Sequence, residues 1–146
     1  MRSKTNVLGV NKRLFIYLVG IALTFCIFIF LLSINLIGYS VKEKCKIAQD
    51  KYAGDCVESL ISYLDDEKNG YYSRNSAIWA LGQLGDERAM PVLNKYHTGY
   101  NGEVINRSEA LSQLEIERAI GYMEGNLNIT KFFWLTEDDI ASKKSE

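Results

Sequence analysis

The chain has 146 residues, with 17 basic against 18 acidic side chains, one histidine and three cysteines. A net charge of −1 excludes the strongly basic footprint of a nucleic-acid binder, and the residues after position 39 are net acidic. The length leaves room for one membrane span and one small domain.

Residues 1–13 form a tail in which Arg2, Lys4, Lys12 and Arg13 are the only charges. Residues 14–39, LFIYLVGIALTFCIFIFLLSINLIGY, carry no charge at all. A helix needs about 20 apolar residues to cross a bilayer core, and in lipid only a helix satisfies such a segment's own backbone. Thr24, Ser33 and Asn35 are its clearly polar side chains and none ionises, so a lone anchor is expected rather than an ion or proton path. A cleaved signal peptide would have a shorter apolar region of about 7–15 residues and a small-x-small site, which Ser33-Ile34-Asn35 matches poorly. Leu23-Thr24-Phe25-Cys26 has the outline of a lipoprotein box, but Phe25 stands where a small residue is needed. The expectation is an uncleaved single-pass anchor. Lys42, Lys44, Lys46 and Lys51 on the far side balance the basic tail, so the positive-inside rule decides little. The short basic tail favours the C-terminal domain lying outside the cytoplasm.

Residues 40–54 read as a juxtamembrane helix or linker, broken at Gly54-Asp55. On one continuous helix Cys45 and Cys56 would be about 16 Å apart, too far to bridge. A turn at Gly54-Asp55 could bring them together in an oxidising compartment, with two unrelated free thiols as the alternative.

Residues 55–135 read as an all-α domain. Asp55-Cys56-Val57-Glu58 is a capping box, opening a helix with Val57, Leu60, Ile61 and Leu64 on one face. The turn-rich stretch 65–70 ends it. A second helix, about 73–84, carries Ala77, Ala80, Leu81 and Leu84, stopped by Gly85 with Asp86 as the next N-cap. A third, 87–96, presents Ala89, Val92, Leu93 and Tyr96, with Pro91 expected to bend its start. Periodicity fails over 97–111, a long loop for so small a domain. Ser112-Gln113-Leu114-Glu115 is a second capping box before Ile116, Ala119, Ile120 and Met123, with Gly125 closing that helix. The aromatic segment 127–135 is expected to cap an open end of the core, and 136–146 is a polar tail.

Arg74-Asn75-Ser76-Ala77-Ile78-Trp79-Ala80-Leu81-Gly82-Gln83-Leu84-Gly85-Asp86, followed by Ala89-Met90-Pro91-Val92-Leu93, resembles the HEAT-like repeat of the subtype named after the phycobilisome lyases. The resemblance spans residues 55–96, with a degenerate second unit to about 125. It implies a helical-repeat fold in which the second helix lines a concave face. It also implies structural roles for Gly85, Asp86 and Pro91, and a structural pair between Arg74 and Asp65 or Asp66. Repeat folds of this kind usually stack three or more units, so other elements must cover the ends here.

The candidate recognition residue is Trp79, opposite the apolar stripe of its helix and flanked by Asn75 and Gln83. The competing reading is that Trp79 packs against the juxtamembrane helix as core. His97 stands alone, without the nucleophile and carboxylate of a triad. Two cysteines and one histidine fall short of a zinc site, and the acid clusters 65–67 and 137–139 lack the pattern of a calcium loop. No phosphate-cradling loop or protease motif occurs. No catalytic residue, metal or cofactor is therefore expected. The reading is a membrane-anchored interaction module with a protein partner and no nucleic acid. The alternatives are a lyase-type or small-molecule-binding repeat protein, or an accessory subunit of a membrane complex.

Overall fold

The structure, a computed structural model, describes residues 7–102 and 106–135, with side chains from residue 11 onward. The acid cluster 137–139, the tail 136–146, residues 1–6 of the basic tail and the middle of the 97–111 loop lie outside the described residues. The described chain is all-helical, without strands. Its elements are α1 (Val7–Gln49), α2 (Cys56–Asp65), α3 (Tyr71–Leu84), a 3-10 turn (Glu87–Ala89), α4 (Met90–Tyr96), α5 (Gln113–Met123) and α6 (Lys131–Trp134). The chain divides into two units, Met1–Leu36 and Ile37–Glu146.

The first unit is the apolar part of α1, whose helix is long and apolar enough to cross a membrane, with a mean hydropathy of 2.8 over an 18-residue stretch. Its polar side chains turn back on their own helix. The Thr24 hydroxyl donates to Gly20 O at 3.0 Å, Ser33 to Ile29 O at 2.9 Å, and the Asn35 amide to Leu31 O at 2.8 Å. These side chains thus find their acceptors within their own helix.

In the second unit, the last turns of α1 bury Val41, Cys45 and Ala48, at spacings of i, i+4 and i+7. Lys44 and Ile47 beside them line a recess of about 70 Å³ together with Leu60, Tyr63, Tyr72 and Ala77. The chain then reverses over residues 50–55, where Gly54 takes a φ of 124° that other residues rarely adopt. Asp55 caps α2, accepting from Glu58 N at 2.9 Å while Glu58 reaches back to Asp55 N at 3.1 Å. Cys45 and Cys56 meet across this reversal as a disulfide, with their Cα atoms 4.9 Å apart.

Polar side chains hold the same corner. The Tyr52 hydroxyl donates to Asp66 Oδ2 at 2.7 Å, and the buried Asn69 amide donates to Tyr52 Oη and Tyr63 O. Lys51 Nζ donates to Asn69 Oδ1 at 2.7 Å and lies over the Tyr63 ring. The buried Ser59 hydroxyl turns to Tyr52 O and Gly54 O. At the next corner Arg88 joins two N-caps, donating to Asp55 Oδ2 at 2.7 Å and to Asp86.

Helix α3 packs against α2 and α5, and α4 against α5. Gly85 closes α3 in the left-handed region with φ 58°, its N–H donating to Leu81 O at 2.9 Å. The helix expected over 87–96 is divided. Pro91 has no N–H and crowds the carbonyl of residue 87, so the start is a 3-10 turn and α4 begins at Met90. The second capping box is also only half made. Ser112 Oγ accepts from Glu115 N at 3.3 Å, but Ser112 N donates to Asn75 Oδ1, so no return bond from Glu115 is needed. The aromatic segment departs further from expectation: only Trp134 of its large side chains is buried, while Leu127, Ile129, Phe132 and Phe133 are exposed.

Three carboxyls are held below their usual range. Asp66 is lowered first by the Tyr52 hydroxyl and then by the Lys68 amide, Asp65 by Lys95 and then Tyr96, and Asp86 chiefly by Arg88. Each binds protons less readily in the folded chain than in the unfolded one. The stability they contribute is present above the ordinary Asp value of about 4 and is lost as pH falls through the lower folded values. Chemical denaturation of the detergent-solubilised protein should therefore show stability falling with acid below about pH 4, and Asp66→Asn should flatten that fall. An unchanged slope in the variant would rule out Asp66 as a source of it.

Candidate functional site

The candidate site lies along the crossing of α3 and α5. Gly82 and Ala119 make that crossing close: a Cβ on Gly82 would lie 2.9 Å from Ala119 Cβ. Two small residues at one contact let the helices approach and leave the longer side chains around them to form walls. Trp79, Gln83, Glu115, Arg118 and Tyr122 line the resulting groove of about 220 Å³, with Gly82 and Ala119 also in its lining.

Trp79 is half-buried, so its ring is neither a free surface group nor a core residue. Gln83 is also half-buried, with Oε1 3.2 Å from the Thr130 hydroxyl, which itself lies 2.8 Å from Asn128 Oδ1. Lys131 Nζ donates to Gly85 O at 3.3 Å, so the chain after α5 is tied to the end of α3. On α5, Arg118 lies 3.9 Å from Glu115 one turn away and keeps most of its side chain exposed. The groove thus offers two aromatic rings, an amide, and a guanidinium loosely paired with the Glu115 carboxylate.

The structure treats the sequence-derived residues unequally. Trp79 and Gln83 share the groove, but Asn75 does not line it. Asn75 is fully buried, and every polar atom of its side chain is used inside the fold. Its amide nitrogen donates to Arg107 O at 2.9 Å and Ala110 O at 2.8 Å, and its Oδ1 accepts from Ser112 N at 2.8 Å. Asn75 is the staple that fixes residues 107–112 to α3. The groove residues that sequence reasoning missed are Glu115, Arg118 and Tyr122. Their spacing of three and four along α5, on the flank of the buried Ile116, Ala119 and Met123, was available as a pattern.

The expected pair between Arg74 and Asp65 or Asp66 is replaced by a different arrangement. Arg74 is buried and its Nε donates to Leu64 O at 2.8 Å, satisfying a carbonyl in the last turn of α2. Its guanidinium lies 5.0 Å from the Tyr96 ring centre and 5.9 Å from that of Tyr71. Asp65 is taken by Lys95 Nζ at 2.5 Å and the Tyr96 hydroxyl at 2.8 Å, and Asp66 by Tyr52. Tyr96 thus meets Arg74 with its ring and Asp65 with its hydroxyl, standing between the two groups expected to pair. Gly85, Asp86 and Pro91 sit at the α3 stop, the cap of the 3-10 turn and the start of α4. His97 follows α4 and is exposed. Among the described residues, no three His, Cys, Asp or Glu side chains come together as a metal site.

The family model for the PBS lyase HEAT-like repeat matches residues 73–96, which cover α3, the 3-10 turn and α4. The chain carries a HEAT-like repeat. No curated protein and no solved structure matches it. Within the repeat, Arg74 and the Gly85-Asp86 corner are accounted for by packing and capping. The HEAT-like unit is completed from outside the matched segment by α2 on one side of α3 and α5 on the other.

Asn75→Ala should destabilise the protein by about 1–3 kcal/mol, because buried polar groups of residues 107–112 lose their partners. Amide hydrogen exchange should speed up across that segment while α2 stays protected. Unchanged exchange there would show that Asn75 does not hold the loop.

Proposed function

We propose that the protein is a membrane-anchored interaction module: a single span carries a HEAT-like repeat domain whose α3–α5 groove docks a segment of a partner protein. The observation that carries the reading is the groove itself, with Trp79 and Tyr122 as flat apolar walls and Gln83 and Arg118 as polar groups. Aromatic and arginine side chains are the types that dominate binding energy at protein interfaces. The occupant that fits is an extended peptide segment with an apolar side chain for the rings and a carbonyl or carboxylate for Arg118. A small-molecule or lyase-type role has less support. Ligand pockets commonly enclose about 300–1,000 Å³, more than this groove, and its lining supplies no nucleophile with an adjoining base.

The anchoring half of the proposal rests on α1, with its charge-free run and its internally bonded Thr24, Ser33 and Asn35. The domain is proposed to lie outside the cytoplasm. The juxtaposed Cys45 and Cys56 support that side, since disulfides persist in oxidising compartments.

Affinity capture with the full chain from mild detergent extracts tests the groove. Trp79→Ala and Arg118→Ala should each cost a partner at least about tenfold in affinity, of the order seen at interface hot spots. Arg118 is mostly exposed, so its variant separates lost binding from lost folding. Equal recovery of the same partner by wild type and both variants would overturn the site.

Alkylation of intact cells with and without reductant tests the compartment. The peptides bearing Cys45 and Cys56 should take up reagent only after reduction, and Cys45→Ser should lower stability by about 3 kcal/mol for a loop of this length. Thiols alkylated without reductant would remove the support for an outward-facing domain.

A further inference from the structure

Three large apolar side chains of one short segment are left in the open: Leu127 is 71% exposed, Ile129 52% and Phe132 79%. A cluster of this kind on one stretch of a small domain marks a surface meant to be covered. The cluster is held in place. Trp134, the buried aromatic of the segment, stacks on the backbone of Gly38, where an added Cβ would lie 3.0 Å from Trp134 Cβ. Lys131 is drawn away towards Gly85 O, which removes the segment's charge from the exposed face.

The position of Gly38 identifies what covers it. Gly38 falls in the last turn of the charge-free run, which ends at Tyr39, and Lys42 is the first charge beyond it. Where an apolar run gives way to lysines, a spanning helix leaves the hydrocarbon and enters the headgroup layer. Tyr39, 70% exposed, stands at that level as an aromatic of the interfacial belt. Trp134 fixes the end of the segment at the same turn of α1.

We propose that residues 127–134 form a second membrane contact, an apolar hook whose Leu127, Ile129 and Phe132 lie in the interfacial layer of the bilayer that α1 crosses. The proposal rests on the anchoring reading above. The span alone would leave α1, with the domain joined to its last turns, free to tilt and rotate in the bilayer. A second contact at the level of Gly38 restricts that freedom and presents the α3–α5 groove at a set angle to the membrane. The apolar groups then sit in the layer where aromatic and aliphatic side chains are favoured, rather than in water.

The test uses the full chain in phosphatidylcholine vesicles, with the photoreactive residue benzoylphenylalanine placed singly at Phe25, Phe132 or Tyr100. Adducts are read by mass. Phe25 reports the span and Tyr100 an exposed loop elsewhere on the domain. The expected result is lipid adducts at 25 and 132, with yield at 132 several-fold above that at 100. Lipid at 25 with only protein adducts or none at 132 overturns the hook and leaves the anchor standing; protein adducts would identify another part of the chain, a second copy or a partner as the cover. Equal lipid yield at 132 and 100 also overturns the hook, since the contact would not be particular to the segment. No lipid at 25 overturns the anchor and the hook together.

Discussion

Helix α3 buries Ala77, Ile78, Ala80, Leu81, Gly82 and Leu84 along with Arg74 and Asn75, so it must be covered from more than one side. An apolar surface that extends round a helix is stable only inside a bundle. This single requirement orders the domain. α2 covers one side through Val57, Leu60 and Leu64, and α5 covers another through Ile116 and Ala119, with Gly82 allowing the close approach. A HEAT-like array would supply such cover from neighbouring repeats. Here the chain supplies it from α2 and α5. The groove is a by-product of the same arrangement, because small residues at the α3–α5 crossing leave Trp79 and Tyr122 standing beside it.

Burying the start of α3 carries two polar side chains inward, and each is given a structural task. Arg74 satisfies the Leu64 carbonyl and meets aromatic faces, while Asn75 satisfies three backbone groups of the 107–112 segment. A buried amide with all its bonds made fixes a loop more sharply than an apolar contact, because any slippage leaves polar groups unpaired. The long connection between α4 and α5 is therefore anchored at its far end by α3. Its near end is held by Gln113, which accepts from Thr98 N and donates to Tyr96 O.

Local features were legible in the sequence, and long-range ones were not. The Asp55 capping box, the apolar stripe of α2, the Gly85 stop and the repeat pattern all depend on residues a few positions apart, and the structure has each of them. Trp79 and Gln83 could be set on one face of α3 by helical spacing alone. Asn75 was misplaced because its partners lie 32 to 37 residues away, a separation no periodicity encodes. The Arg74 pairing failed for a related reason: Tyr96, on a different helix, occupies the space between Arg74 and Asp65. The aromatic segment was read as a core cap from composition, yet composition cannot say which of its six aromatic and aliphatic side chains turn inward.

The corner at residues 50–55 gives the proposed tether its mechanical meaning. The end of α1 is joined to α2 by Cys45–Cys56 and by the Tyr52, Asp66 and Asn69 network. A flexible Gly/Ser linker would instead let the domain sample a volume set by linker length. With a stiff corner the groove keeps a fixed relation to the last turns of α1. Tethering of this sort raises the effective concentration for a partner in the same bilayer, but only for one whose docking segment lies at a matching height and angle. A groove of modest size suffices under that constraint, since geometry rather than contact area then selects the partner. The specificity of such a module resides as much in the corner that aims the groove as in the side chains that line it.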